Sequence, residues 1–281
     1  MSDRVIQLTI YTTIAIISFV VGFIAMQFTS TKSPIFPSSS SSSSCNVALI
    51  KAQGGIYSYT YNTSADQSST DSSSDGVVDA ESVVQQIEDA DANQEIRAIV
   101  LQIDSSGGTI VAGEEIANAL KRAKKPTVSL IRGQGLSAAY WAATGADTIF
   151  ASVNSEVGNI GVTTSYADNA EYNKSQGFTF HSLSSGKYKD LQNSNKPLTK
   201  DEETVVIREI NELMNNFVTS VSENRHIPLS DITPDMRNAM IFTGSNALTQ
   251  HLIDNIGDKV SVKDFLAQKL ELDSANVTYC Q

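Results

Sequence analysis

Three short segments of this chain carry residue types that together could catalyse acyl transfer. Ser137 lies in the small-residue sequence GQGLSAAYW, and Lys189 lies in SGKYKD. Gly107 and Gly108 end the sequence DSSGG, which follows the apolar run AIVLQI. A serine hydroxyl can act as nucleophile, a neutral lysine as its base, and the amides of a glycine turn as donors to an oxyanion. The spacing of these residues therefore predicts a serine peptidase.

Each of these residues also has an ordinary structural interpretation. Ser137 alone would be a packing residue in a helix of small side chains, and the glycine pair could be a plain turn. Lys187 is the alternative to Lys189 as base. A lysine serves as base only when it is neutral, so the predicted base has to be buried in apolar surroundings.

A Ser-His-Asp triad is the competing arrangement for a serine nucleophile. The chain has three histidines, His181, His226 and His251, and none of them lies in a matching motif. The sequence GLSAA also lacks the second glycine of a nucleophile elbow, which disfavours an α/β-hydrolase. We expect Asp190 to fix the loop around Lys189, or to pair with a neighbouring subunit, and not to act as an acid.

The elements that must position these residues alternate between apolar strands and amphipathic helices. We predict strands at residues 47–50, 96–103, 127–131, 147–151 and 178–183, and helices at 80–92, 111–124, 166–176, 199–224, 245–252 and 262–270. A short helix is expected to begin near Ser137, and Thr199 with Glu202 forms a capping box at the longest helix. This alternation is typical of βαβ crossovers around a largely parallel sheet, and it predicts an α/β fold.

The amino-terminal region differs in composition from the rest of the chain. Residues 5–28 are mostly apolar, and as a helix they could cross a hydrocarbon core of about 30 Å. The alternative is a cleaved signal peptide, but no clear small-residue cleavage site follows. We therefore predict a transmembrane anchor at residues 1–30, a Ser/Pro-rich flexible linker at 31–46 and one catalytic domain at 47–281.

Charge and cysteine content exclude several classes of function. The net charge is −11, and nucleic acid is not an expected partner because phosphate contacts require clusters of lysine and arginine. The two cysteines, Cys45 and Cys280, fit no zinc motif, and we predict neither a metal nor a cofactor. In an extracytoplasmic domain they could form one disulfide; otherwise they are two unpaired thiols.

At these motifs the chain resembles the signal peptide peptidase A family of Ser/Lys peptidases. The family pattern SGGYxxA corresponds to SAAYWAA from Ser137, and ADxIxA and GSIGV correspond to ADTIFA and GNIGV downstream. The family's SGxxKD motif and NSPGG turn correspond to SGKYKD and DSSGG, and the similarity spans about residues 47–268. Ala138, Ala139, Ser106 and Asp104 depart from these patterns, which we interpret as altered specificity.

The resemblance implies a ClpP/crotonase-like fold, a Ser137/Lys189 dyad and an oxyanion hole from the amides of Gly108 and Ala138. It also implies a homo-oligomer whose active sites lie outside the cytoplasm, on a single-pass protein of the cell membrane. Expected substrates are membrane-proximal peptides, including remnants of cleaved signal peptides. Two other hypotheses remain: an inactive scaffold of the same fold that binds peptides or partners, and a crotonase-like acyl-CoA enzyme.

Overall fold

A mostly parallel β-sheet lies at the centre of residues 45–59 and 76–280, the part of the chain described by this computed structural model. Its strands are β1 (Val47–Gln53), β4 (Ala98–Ser105), β5 (Thr127–Leu136), β6 (Thr148–Ala151), β7 (Glu156–Gly158), β8 (Ile241–Thr243), β9 (Asn255–Ile256) and β10 (Tyr279–Cys280). A separate parallel pair is formed by β2 (Gly55–Tyr57) and β3 (Val77–Asp79). The main order is β10-β1-β4-β5-β6-β9, and β7 branches from β5 to pair antiparallel with β8.

Helices connect these strands and cover both faces of the sheet. They are α1 (Ala80–Ala92), α2 (Ile110–Arg122), α3 (Ala138–Thr144), α4 (Ala170–Ser175), α5 (Lys200–Arg225), α6 (Pro234–Arg237), α7 (Gly244–Thr249) and α8 (Lys259–Lys269). The first three pack side by side, and α8 packs on the opposite face. Strands buried on both faces require nearly continuous apolar sequence, and β1 and β4 have it.

Alternation of side chains along the strands divides the core into two layers. Leu49, Val100 and Leu130 contact Val262 and Leu266 of α8 in one buried cluster. The intervening residues of the same strands, including Ile50, Leu101 and Ile131, are also fully or almost fully buried, and they point to the face that α1, α2 and α3 cover. The predicted α/β architecture with a mostly parallel sheet is therefore confirmed.

Local sequence signals located the central strands and most helices. One predicted strand is wrong, and the short strands β2, β3, β7, β8, β9 and β10 were not predicted. The predicted helix at 80–92 is confirmed, and the capping box of Thr199 and Glu202 begins α5 as predicted. The predicted strand at 178–183 is wrong: these residues form no strand, and Phe178, Phe180 and Leu183 are exposed. A strand needs a partner for its backbone groups, and none of the described strands pairs with this segment.

The two cysteines are bonded to each other in the structure. Cys45 and Cys280 form a disulfide with 5.1 Å between their Cα atoms, which joins the start of the domain to β10. The predicted anchor at residues 1–30 lies outside the described residues, as does the linker up to residue 44. Within 45–59 and 76–280, no helix is both long and apolar enough to cross a membrane.

Candidate active site

Ser137 occupies an unusual backbone conformation at the junction between β5 and α3. Its φ and ψ angles are 52° and −125°, and it is the residue that precedes the first turn of α3. Non-glycine residues rarely adopt such angles, at a cost of about 1–3 kcal/mol, and they cluster at active sites. The Ser137 N–H donates to the Gly158 carbonyl over 2.9 Å, which holds the turn against β7.

A glycine turn after β4 approaches the Ser137 backbone closely. Gly107 has a φ of 116°, and a Cβ there would lie 2.9 Å from the Ser137 Cβ and 3.4 Å from the Ala138 nitrogen. Any side chain at this position would therefore displace the serine. The fully buried Ser105 hydroxyl accepts the Gly107 N–H over 3.1 Å, and this bond fixes the turn from within.

The short strand β2 holds the other side of the glycine turn. The Ile56 N–H donates to the Gly107 carbonyl and the Ile56 carbonyl accepts from Thr109, both over 2.9 Å. A Cβ at Gly108 would lie 1.7 Å from the Ile56 oxygen, so this position also requires glycine. Sequence reasoning missed β2, because three residues carry too little periodicity to identify a strand.

The two predicted oxyanion donors are unpaired within the described part of the chain. Neither the Gly108 N–H nor the Ala138 N–H donates a hydrogen bond there, and the Ser137 side chain does not cap α3. Ala138 is the first residue of α3, where amides have no intrahelical acceptor and the helix dipole favours negative charge. The two amides therefore belong to the two segments that meet at Gly107: the Gly108 amide lies in the glycine turn, and the Ala138 amide lies at the start of α3, directly after Ser137.

Lys189 lies on an exposed segment, and no hydrogen bond joins it to Ser137 within the described residues. Its backbone N–H donates to the Gly186 carbonyl over 3.1 Å, which closes a turn. Within residues 45–59 and 76–280, its ammonium forms neither a hydrogen bond nor an ion pair. The apolar burial that a lysine base needs is therefore not provided by the described part of this single chain.

Lys187, the alternative base, is held in an ion pair. Its Nζ lies 2.7 Å from an Asp201 carboxylate oxygen at the start of α5. The hydrogen bond to Asp201 raises the pKa of Lys187, so this amine keeps its proton more firmly than an ordinary lysine. Asp190 accepts a hydrogen bond from Asn193 over 2.7 Å, as expected of a residue that fixes the loop.

The histidines lie apart from Ser137 in the structure. His181 is on the exposed segment, and His226 and His251 line a separate cavity at the end of α5. No hydrogen bond joins a histidine to Ser137 within the described residues. Over the same residues, no group of three His, Cys, Asp or Glu side chains could hold a metal ion.

A cleft of about 840 Å³ is lined by Gly108 and continues between α2 and α5. Its walls include Trp141, which stacks on Phe217 of α5 with 4.5 Å between ring centroids, and Leu213. Glu114 is the charged residue of its lining. The sequence did not predict this cleft, because it forms between helices that are far apart along the chain.

Comparison with known proteins gives first the fold class and then the family. Residues 71–158, which include the glycine turn and Ser137, match the Clp protease family model, so the fold is of the Clp protease-like α/β class. Residues 119–273, more than half of the chain, match the model of peptidase family S49. The chain therefore belongs to peptidase family S49.

Relatives with similar sequences are named as proteases. A Methanocaldococcus jannaschii protein named as a protease is 28% identical over 71% of this chain and 64% of its own length. An Enterococcus faecium protein named as a signal peptide peptidase SppA is 25% identical over 68% of this chain and 56% of its own. Protease 4 of Salmonella typhi is 29% identical over 70% of this chain and 32% of its own. The chain thus spans less than two thirds of each of these relatives.

Proposed function

We propose that this protein is a membrane-anchored serine endopeptidase that uses Ser137 as nucleophile and Lys189 as general base. The observation that carries the proposal is the strained Ser137 backbone, which lies opposite a glycine turn with unpaired amides on both sides. A packing serine gains nothing from such a conformation, whereas a nucleophile does. The conformation presents its hydroxyl at the end of a helix, beside donors for negative charge.

The chemistry follows from these positions. The neutral Lys189 amine removes the proton from the Ser137 hydroxyl as its oxygen attacks the peptide carbonyl. The carbonyl oxygen becomes an oxyanion that the Gly108 and Ala138 amides stabilise, each by about 3 kcal/mol. When the intermediate collapses, the Lys189 ammonium returns the proton to the leaving amine. Water then hydrolyses the acyl-enzyme by the same route.

Lys189 can act as a neutral base only if its side chain is buried away from water. The segment that carries it exposes several large apolar side chains, namely Tyr172, Phe178, Phe180, Leu183 and Tyr188. Contact with another copy of the chain would bury this surface and would exclude water from the lysine. A homo-oligomer is accordingly part of the proposal, with bound peptide completing the cover.

The proposed substrates are peptides close to the membrane, such as remnants of cleaved signal peptides. The name of the Enterococcus faecium relative supports this class, and the apolar walls of the cleft beside Gly108 suit apolar side chains. The predicted anchor would hold the domain at the outer surface of the cell membrane. Tethering there raises the effective concentration of such peptides without any new contact.

The test is cleavage of a quenched-fluorescent apolar peptide by the full-length protein in detergent. Ser137→Ala and Lys189→Ala should each lower kcat/KM by at least about 10³-fold, since each removes a reacting group.

Lys187→Ala is the matched control, because it removes the same side chain two residues away and should retain most activity. Full activity in Lys189→Ala with loss in Lys187→Ala would reverse the assignment of the base. A fluorophosphonate probe that fails to label Ser137 in a folded protein would instead favour the inactive scaffold.

A further inference from the structure

A second polar cavity, of about 730 Å³, lies at the carboxyl ends of the parallel strands. Lys51, Gln102 and Arg132 extend from β1, β4 and β5 on the same face as Leu49, Val100 and Leu130, because alternate side chains share a face. Lys51 pairs in register with Gln102, and Gln102 with Leu130. The apolar part of this sheet face is covered by α8, and the polar part lies beside Lys259, the first residue of that helix. In open α/β sheets, ligands bind in crevices at this edge.

Three cations converge on this cavity without a carboxylate partner. Lys51, Arg132 and Lys259 all line it, and none of them forms an ion pair within the described residues. Partial burial lowers the pKa of Lys259, and the nearby charges of Lys51 and Arg132 lower it further. Like charges are held together here in a chain whose net charge is −11. Two carboxylates, Asp104 and Asp258, also line the cavity, so three positive and two negative side chains leave it with a net positive charge that favours the binding of an anion.

The two carboxylates of the lining are engaged by backbone amides. Asp104 accepts the Gln134 N–H over 3.2 Å, which fixes the irregular end of β5. Asp258 accepts the N–H groups of Val260 and Ser261 over 2.9 and 3.0 Å, and so caps α8. Both acids have structural roles at the cavity wall. Lys51 and Arg132 have no ion-pair partner within the described residues. The Lys259 Nζ lies 4.7 Å from the centroid of the Tyr279 ring, a contact that uses the ring face and no hydrogen-bond acceptor.

We propose that this cavity is a binding site for a phosphate group, held by Lys51, Arg132 and Lys259. Phosphate matches the site better than a single carboxylate does, because it is compact and carries up to two negative charges. Arginine binds it through a planar pair of N–H donors, and lysine binds it as a point charge. The group could be free phosphate or the headgroup of an anionic phospholipid, which share this chemistry. The site uses none of the residues assigned to peptide cleavage.

Isothermal titration of the full-length protein in non-ionic detergent tests the site. Inorganic phosphate should bind saturably at one site per chain, and acetate at equal ionic strength should not displace it. Replacing all three cations, Lys51→Gln, Arg132→Gln and Lys259→Gln, should weaken binding at least about tenfold, because each charge-assisted contact is lost. Titration with dihexanoyl phosphatidylglycerol, compared with dihexanoyl phosphatidylcholine, then shows whether a lipid headgroup or free phosphate is preferred.

The matched control is a second triple variant, Lys121→Gln, Lys124→Gln and Arg208→Gln, which changes the net charge equally at exposed positions outside the cavity. It should retain phosphate affinity within about twofold, because its substitutions touch only screened surface charges. Equal losses in both triple variants would overturn the proposal, since they would indicate a general effect of charge. Non-saturable binding to the wild type would overturn it as well. Thermal unfolding of each variant shows that the comparison is made between folded proteins.

Discussion

The conformation of Ser137 is the most informative feature at the scale of single residues. Its φ of 52° is a strained value for serine, yet the Gly158 carbonyl, the glycine turn and α3 all hold it in place. Because neighbouring elements determine the angle, the strain persists in the folded state. The chain thus gives up stability at the position where the proposed mechanism places its nucleophile.

In most positions an alanine variant is more stable to unfolding than a glycine variant, and at Ser137 this order should be reversed. Ser137→Gly should be more stable to unfolding than Ser137→Ala by roughly 1 kcal/mol, because glycine adopts positive φ without steric cost. Both variants should lack peptidase activity. Chemical denaturation followed by circular dichroism measures the difference.

The same pair of substitutions at Ser82, an exposed residue within α1, provides the control, and there alanine should be the more stable variant. If alanine is also the more stable residue at position 137, the backbone there is not strained.

At the scale of elements, α5 connects the exposed segment to the active site. Its amino terminus begins with Thr199 and Glu202, whose side chains and backbones cap each other, and Glu202 also accepts from Lys196. Further along, Phe217 stacks on Trp141 of α3, the helix that follows Ser137. The position of α5 therefore affects both the wall of the cleft and the start of the segment that carries Lys189.

The capping interactions of Glu202 should make the stability of α5 sensitive to acid. The hydrogen bond from Lys196, followed by those from Thr199, lowers the pKa of Glu202 from its ordinary 4.5 to about 2. The stabilisation is present above pH 4.5 and is lost as the pH falls through about 2, where the carboxylate becomes protonated in the folded protein. Glu202→Gln should therefore lower the free energy of unfolding at pH 7. Near pH 2 the free energies of unfolding of the variant and the wild type should differ less.

Urea unfolding at a series of pH values measures this convergence. The exposed neighbour Glu203→Gln controls for the loss of one negative charge near the same helix end. If Glu202→Gln lowered the free energy of unfolding by the same amount at every pH, the assigned role of the carboxylate would be contradicted.

At the scale of the whole molecule, the disulfide joins the first and last described segments. Cys45 and Cys280 are separated by 235 positions, and β10 adds only two residue pairs to the edge of β1. So short a strand contributes little by itself, but the covalent bond keeps it paired. The bond therefore links the first and last described segments of the domain at the edge of the sheet.

Removal of this bond should lower the free energy of unfolding by about 3–5 kcal/mol, since the bond restricts the unfolded chain over a long loop. The double variant Cys45→Ser, Cys280→Ser should show this loss in denaturant unfolding. Wild-type protein treated with reductant should behave like the variant, and reductant should have no effect on the variant itself. Two thiols that alkylate freely in the oxidised wild-type protein would rule out the bond.

Local sequence by itself determined the main strands and helices and the identity of the motifs. Apolar runs identified β1 and β4, helical periodicity identified α1, and Thr199 with Glu202 gave the start of α5, because such signals act between residues close in the chain. Ser137, Gly108 and Ala138 were named from short motifs.

Only the tertiary structure brought Gly107 against the Ser137 backbone, left the amides unpaired and made the cleft between α2 and α5. It also left residues 178–183 unpaired and gathered Lys51, Arg132 and Lys259, since these contacts depend on distant segments meeting in the folded chain.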